Sequence, residues 1–291
     1  MEPATVVAGT TSHRELLPAM RGLLIAFSVL TALGVLALYV FPARTAEVFA
    51  WTIEPPLTAA FLGAGYAAGC TLVLLSLRDP VWAHNRVPAL TILVFSVLTL
   101  AATLLHLDRF HFQPEFAGAP LPARAAAWFW TAVYVAVPVA MVLLLARQER
   151  GPGTDPPPRR PVPLLLRAAL AVESAVLLVT GIALYAVPSS ARVLWPWALP
   201  PLAARVVAAW LLAFGLATAL AAIAGDLQRL RTAAIAYAVF GLLVVVAVAR
   251  YADELAWGSP SAWVFLLLTV AVTATGVAGW RAAPVPARGG S

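Results

Sequence analysis

The stretch RGLLIAFSVLTALGVLALYVFP, residues 21–42, decides how the chain is read, because it returns 146 positions later as RAALAVESAVLLVTGIALYAVP, residues 167–188, without a gap. Seven of the 22 positions are identical: Arg21/Arg167, Leu24/Leu170, Ser28/Ser174, Ala37/Ala183, Leu38/Leu184, Tyr39/Tyr185 and Pro42/Pro188. Each copy is an unbroken apolar run of about 20 residues, which at about 1.5 Å rise per residue crosses a hydrocarbon core about 30 Å thick. The correspondence continues through Trp51 and Trp197 and, after a one-residue slip, sets Pro55-Pro56-Leu57 against Pro200-Pro201-Leu202. Apolar similarity alone does not reproduce that punctuation in order.

Composition agrees with a membrane protein. Of 291 residues 62% are hydrophobic and 11% charged, with a mean hydropathy of +0.89; an ordinary soluble domain has about a quarter of its residues charged. Only helices and closed barrels satisfy their backbone inside a bilayer, and continuous apolar runs without alternation select helices. Eight spans are predicted at 22–41, 56–77, 87–107, 125–145, 164–187, 201–224, 232–250 and 261–280. The expected fold is an all-α membrane protein whose eight transmembrane helices form two parallel four-helix repeats, related by a pseudo-twofold axis along the membrane normal. The expected organisation is an N-terminal tail 1–20, a first repeat 21–147, a Pro-rich linker 148–163 of polyproline character, a second repeat 164–281 and a tail 282–291. The first run is longer than a secretory h-region and reads as an uncleaved signal anchor.

All 19 basic residues are Arg, which together with the abundance of Ala suggests a GC-rich bacterial genome. Thirteen of them (Arg14, Arg21, Arg78, Arg86, Arg147, Arg150, Arg159, Arg160, Arg167, Arg229, Arg231, Arg281, Arg288) fall on the side of the termini, and six (Arg44, Arg109, Arg124, Arg192, Arg205, Arg250) on the other. The positive-inside rule then places both termini in the cytoplasm of a bacterial cell membrane. Used this way, the arginines set topology, and no nucleic-acid partner is expected. Trp51, Trp128, Trp130, Trp195, Trp197, Trp257 and Trp263 fall near the opposite helix ends, as an interfacial belt would; the alternative for Trp195 and Trp197 is ligand stacking. Cys70 is the only cysteine, which excludes an intramolecular disulfide and Cys-rich metal sites.

The stretch from Phe49 to Tyr66 (FAWTIEPPLTAAFLGAGY), with His106-Leu-Asp108-Arg109-Phe110-His111-Phe, resembles multi-pass membrane proteins of unassigned function in actinobacteria and related bacteria, over 36–111. The resemblance implies membrane class and lineage and carries no activity.

Four groups of residues bear on chemistry. Glu54 before the second span and His106, Asp108 and His111 at the end of the third bring ligand types for zinc, iron, copper or manganese to neighbouring helix ends. In a helix, Asp108 and His111 lie about 200° and about 140° around from His106, so a metal or haem site requires the helix to end near His106. The alternative is interfacial hydrogen bonding with Asp108–Arg109 or Glu54–Arg109 pairing. Ser96, Thr99, Thr103 and His106 lie within roughly an 80° arc, a polar stripe that either lines a hydrated path or joins helices. Glu173 lies well inside the fifth span, where an ionised acid costs about 2.5–3.5 kcal/mol on insertion scales, while its counterpart is Phe27. That depth suits proton coupling. Gly65-x-x-x-Gly69 is a close-packing motif and Pro138 a mid-helix kink.

No P-loop, G-x-G-x-x-G, G-x-S-x-G, H-E-x-x-H or C-x-x-C is present, and nucleotide-driven transport by this chain alone is not expected. Three readings stay open: a small-solute or proton-linked transport or binding module; an accessory subunit packed against a membrane-protein partner or a second copy; and a metal- or haem-bearing redox protein.

Overall fold

The structure, a computed structural model, describes residues 12–283. Eight helices are long and apolar enough to cross a membrane: α1 Pro18–Val40, α2 Pro56–Ser76, α3 Trp82–Leu105, α4 Leu121–Glu149, α5 Leu164–Ala186, α6 Pro201–Ala224, α7 Leu227–Arg250 and α8 Pro260–Ala282. No β-strand occurs among the described residues. The chain is an all-α membrane protein.

Local chemistry sets the helix ends. Proline occupies the first turn of α1, α2, α6 and α8, where a missing N–H leaves no bond unmade. Gly225, at φ 61°, closes α6 in the left-handed conformation, and Asp226 then caps α7 by accepting from the Gln228 N–H at 3.2 Å. The third helix starts five residues before the predicted 87–107 and stops two short of its end, and the fourth outruns 125–145 at both ends, since a helix carries polar residues beyond the hydrocarbon once they are satisfied. Asn85 donates to the Asp79 and Val81 carbonyls, and Glu149 accepts two bonds from Arg86.

Helices α2, α3, α6 and α7 form the interior, and α1, α4, α5 and α8 flank them. Burial separates the two sets: 72% and 67% of the apolar windows of α2 and α6 are buried, against 28% for α1 and for α4. Within each half, α1 packs on α2 and α3 on α4, as α5 does on α6 and α7 on α8; across the halves, α2 packs on α7 and α3 on α6.

Several bonds recur 145 or 146 residues on. Leu16 N donates to Pro80 O at 2.8 Å, and Val162 N to Gly225 O at 2.9 Å. The N–H groups of His111 and Ala256 bond to Ala50 O at 2.9 Å and Pro196 O at 2.8 Å. The tyrosines shared by the two quoted stretches tie the halves together reciprocally, Tyr39 Oη donating to Leu243 O at 2.9 Å and Tyr185 Oη to Leu98 O at 2.7 Å.

The halves place their closest helix contacts at different positions. A Cβ on Gly181 would lie 2.8 Å from Leu212 Cγ and one on Gly215 2.9 Å from Leu178 Cγ, so α5 and α6 are in contact only because both residues are glycine. The corresponding residues of the first half are Val35 and Cys70, and α1 and α2 make their close contact elsewhere: a Cβ on Gly63 would lie 2.5 Å from Tyr39 N, and one on Gly34 2.6 Å from Tyr66 Cδ1.

The Pro-rich segment is anchored rather than free. Thr154 and Ser12 bond through their backbones, Asp155 pairs with Arg86 at 2.8 Å, and Arg229 of α7 donates to Pro156 O at 2.9 Å. It therefore straps the first half to the second.

The tryptophans fall into two groups. Trp128, Trp257 and Trp263 are exposed as a belt requires, but Trp51, Trp130, Trp195 and Trp197 are buried. Trp195 and Trp197 meet Phe61 and Phe265 edge to face and cap the interior helices. Trp197 Nε1 donates to Thr58 Oγ1 at 2.8 Å, whereas Trp51 Nε1, buried, has no partner; the residue corresponding to Thr58 is Ala203, which offers no acceptor.

Candidate functional site

A chamber of about 90 Å³ lies inside the bundle, its wall drawn from all eight helices. Helices α1 to α4 supply the larger share of that wall, and α6 and α7 most of the rest.

Aromatic rings line its central part. Phe95 stacks on Trp210 with centroids 3.9 Å apart, Trp210 stacks on Phe214 at 5.4 Å, and Tyr66 meets Trp210 edge-on at 5.6 Å. Trp210 fits there because it faces a glycine: a Cβ on Gly65 would lie 2.6 Å from Trp210 Cε2. Tyr66 of α2 and Tyr134 of α4, both buried, share one hydrogen bond at 2.8 Å.

Most other hydroxyls on the wall are satisfied within their own helices. Thr31, Thr91, Ser96 and Thr218 donate to carbonyls three or four residues back. The wall is therefore almost wholly carbon, with phenols as its main polar features and one acid pair that reaches it only through Thr275.

That pair centres on Glu173. Its side chain is 4% exposed; Thr275 Oγ1 donates to Oε1 at 2.6 Å, while Oε2 has no partner of good geometry. Tyr237 is its other polar neighbour, and the Tyr237 hydroxyl is likewise without a well-aligned bond. Tyr237 and Thr275 both reach the chamber wall. No cation pairs with Glu173 among the described residues, and Arg167, six residues earlier, is about 9 Å away along the helix.

The polar stripe of α3 divides. Ser96 lies on the chamber wall, but Thr99 and Thr103 are buried away from it, and Thr99 Oγ1 has no partner. Packing of α6 and α7 over this face of α3 covers the two threonines, so the stripe does not line a continuous path.

At the far end of the bundle, α3 does stop at Leu105, and the loop folds back, but the histidines diverge. His106 Nε2 faces Arg205 Nη1 of α6 at 2.6 Å. Guanidinium only donates, so this nitrogen accepts. His111, 2% exposed, bonds through Nδ1 to Phe49 O at 2.8 Å and through Nε2 to Thr52 Oγ1 at 3.1 Å, which makes Nδ1 the donor and Nε2 the acceptor. Each imidazole has its one lone pair engaged, and neither is free to ligate.

Burial, with help from the Arg205 guanidinium, holds His106 below the ordinary imidazole value; burial also lowers His111, partly offset by its bond to the Phe49 carbonyl. Asp108 pairs with Arg109 at 3.0 Å on the surface, and Glu54 is exposed. Among the described residues no three His, Cys, Asp or Glu side chains converge as a metal site. The four residues Glu54, His106, Asp108 and His111 are thus distributed over separate contacts.

Sequence reading missed the chamber residues Tyr66, Tyr134, Trp210 and Tyr237. Each is one aromatic among many apolar neighbours in its span, and its partner lies on another helix. Only the acid at Glu173 stood out. No family model matches the chain, and no curated protein or solved structure matches it.

Proposed function

We propose that this chain is a duplicated eight-helix module of a bacterial cytoplasmic membrane, both termini cytoplasmic, that binds a small solute between its halves and links its release to Glu173. The observation that carries the reading is the aromatic-walled chamber, with a buried carboxyl behind Tyr237 and Thr275 on its wall. Enclosed, largely apolar cavities with a few convergent polar groups are where small ligands bind. Ionisable residues at membrane depth are rare and serve solute or proton pathways.

Duplication is supported by the recurring bonds, above all the reciprocal Tyr39 and Tyr185 ties. A site at the boundary of two parallel repeats is the arrangement in which rocking of one half against the other exposes a solute to alternate sides. Thirteen arginines at the end that carries the termini, against six opposite, support the orientation.

The test is mass spectrometry of small molecules extracted from protein purified in mild detergent, with Ala217→Phe to fill the chamber and Glu173→Gln to remove the titrating group. A molecule that co-purifies with wild type, is absent from Ala217→Phe, and is released by changing pH from wild type but not from Glu173→Gln supports the reading. A wild-type protein that carries nothing, and whose unfolding temperature no apolar solute moves, overturns it.

A further inference from the structure

The Tyr66–Tyr134 pair specifies what the chamber accepts. Two phenols that share one hydrogen bond use one of their two protons: whichever oxygen accepts is left with an O–H of its own. Both rings are buried, at 4% and 3% exposure, and neither hydroxyl has a second partner. A buried donor without an acceptor is costly, so the vacant position asks for an acceptor brought from outside the protein. The other phenol on the wall, Tyr237, has an acceptor beside it within the protein, the unpartnered Oε2 of Glu173, although the two are not well aligned. No charged side chain lines the chamber; its remaining polar groups are Ser and Thr hydroxyls and the indole N–H groups of Trp130 and Trp210, the latter a further donor without a partner.

Resting on the reading of the chamber as a ligand site, we infer that its ligand is an uncharged, chain- or ring-like apolar molecule carrying a carbonyl oxygen, which accepts the spare phenol proton of the Tyr66–Tyr134 pair. An ammonium or carboxylate group is excluded on desolvation grounds, since nothing on the wall would compensate it. A hydroxyl in place of the carbonyl would accept the phenol proton but leave its own without a partner.

The probes are 2-heptanone and 2-methylheptane, in which a methyl group replaces the carbonyl oxygen at equal heavy-atom count. Binding to the full-length protein in one detergent is read from the unfolding midpoint and referred to each probe's partition into that detergent. The ketone is expected to bind roughly three- to tenfold tighter than the hydrocarbon, the size of one neutral hydrogen bond. Tyr66→Phe and Tyr134→Phe each leave one phenol, so at least one of them retains the preference, and the double variant loses it while still binding 2-methylheptane. In wild type the infrared carbonyl stretch of ¹³C-labelled 2-heptanone moves to lower wavenumber on binding. Equal binding of the two probes with an unshifted carbonyl band overturns the ligand class and leaves the chamber as a binding site. Binding of neither probe overturns both. A double variant that no longer binds 2-methylheptane has lost its fold, and the infrared band of the wild-type complex then decides alone.

Discussion

Adding one methyl group at Gly65 and at Gly69 separates two roles that the sequence motif merges. A Cβ on Gly65 would sit 2.6 Å from Trp210 Cε2 and 2.8 Å from Cδ2, whereas one on Gly69 would meet Thr31 and Trp210 at 3.6 Å. Carbon atoms prefer about 3.5–4.0 Å, so Gly65→Ala pushes the indole back by roughly 1 Å. Phe95 stacked on it at 3.9 Å and Phe214 and Tyr66 alongside hem the indole in, so it can retreat only by disturbing that cluster or entering the chamber it lines. Overpacking of this kind costs about 1–3 kcal/mol. Gly69→Ala forms an ordinary contact and has no such cost. Both substitutions gain the same helix propensity, about 1 kcal/mol where it is expressed in full, so the difference between them isolates the clash. Reversible unfolding by SDS in mixed micelles, followed by tryptophan fluorescence, should place Gly65→Ala about 1–3 kcal/mol below Gly69→Ala. Equal stabilities, or a greater loss at Gly69, would refute the proposed contact between Gly65 and Trp210.

Tyr39→Phe and Tyr185→Phe should each lower stability in the same assay by about 0.6 kcal/mol, the mean for a hydrogen bond between membrane helices. Joined to separate helix pairs, they should add to about 1.2 kcal/mol in the double variant; a loss confined to one of them would show that the halves are not tied reciprocally. Stability should also fall as pH drops below about 6.5. His106 and His111 titrate lower in the folded protein than unfolded, so the unfolded chain binds more protons in that window and acid favours it. His106→Gln/His111→Gln should flatten the dependence between pH 5 and 7, as judged by unfolding midpoints; an unchanged slope would assign it elsewhere.

The spans were legible because burial in lipid imposes one requirement on every residue of a run: 201–224 coincides with α6 and 56–77 misses the end of α2 by one residue. The polar ends of α3 and α4 were not, since Asn85 and Glu149 are held by partners far away in sequence or across a turn. Identity between Tyr39 and Tyr185 was visible in the sequence, and both make the same bond, but the carbonyls that receive them could not be named. Glu173 announced itself through the cost of its depth, while Thr275, 102 residues away, became its partner only in the folded chain. The metal reading failed to anticipate Arg205, a donor from another helix that occupies the one free nitrogen of His106.

The glycines that lock α5 against α6 have a mechanical consequence. Parting those two helices would open a void where side chains and backbone already touch, and the same holds for α1 and α2, which meet through Gly34 and Gly63. Each half is in effect a pair of staves riveted by small residues. A bulkier residue at any of these rivets would act as a wedge, and the neighbouring helix could accommodate it only by backing away.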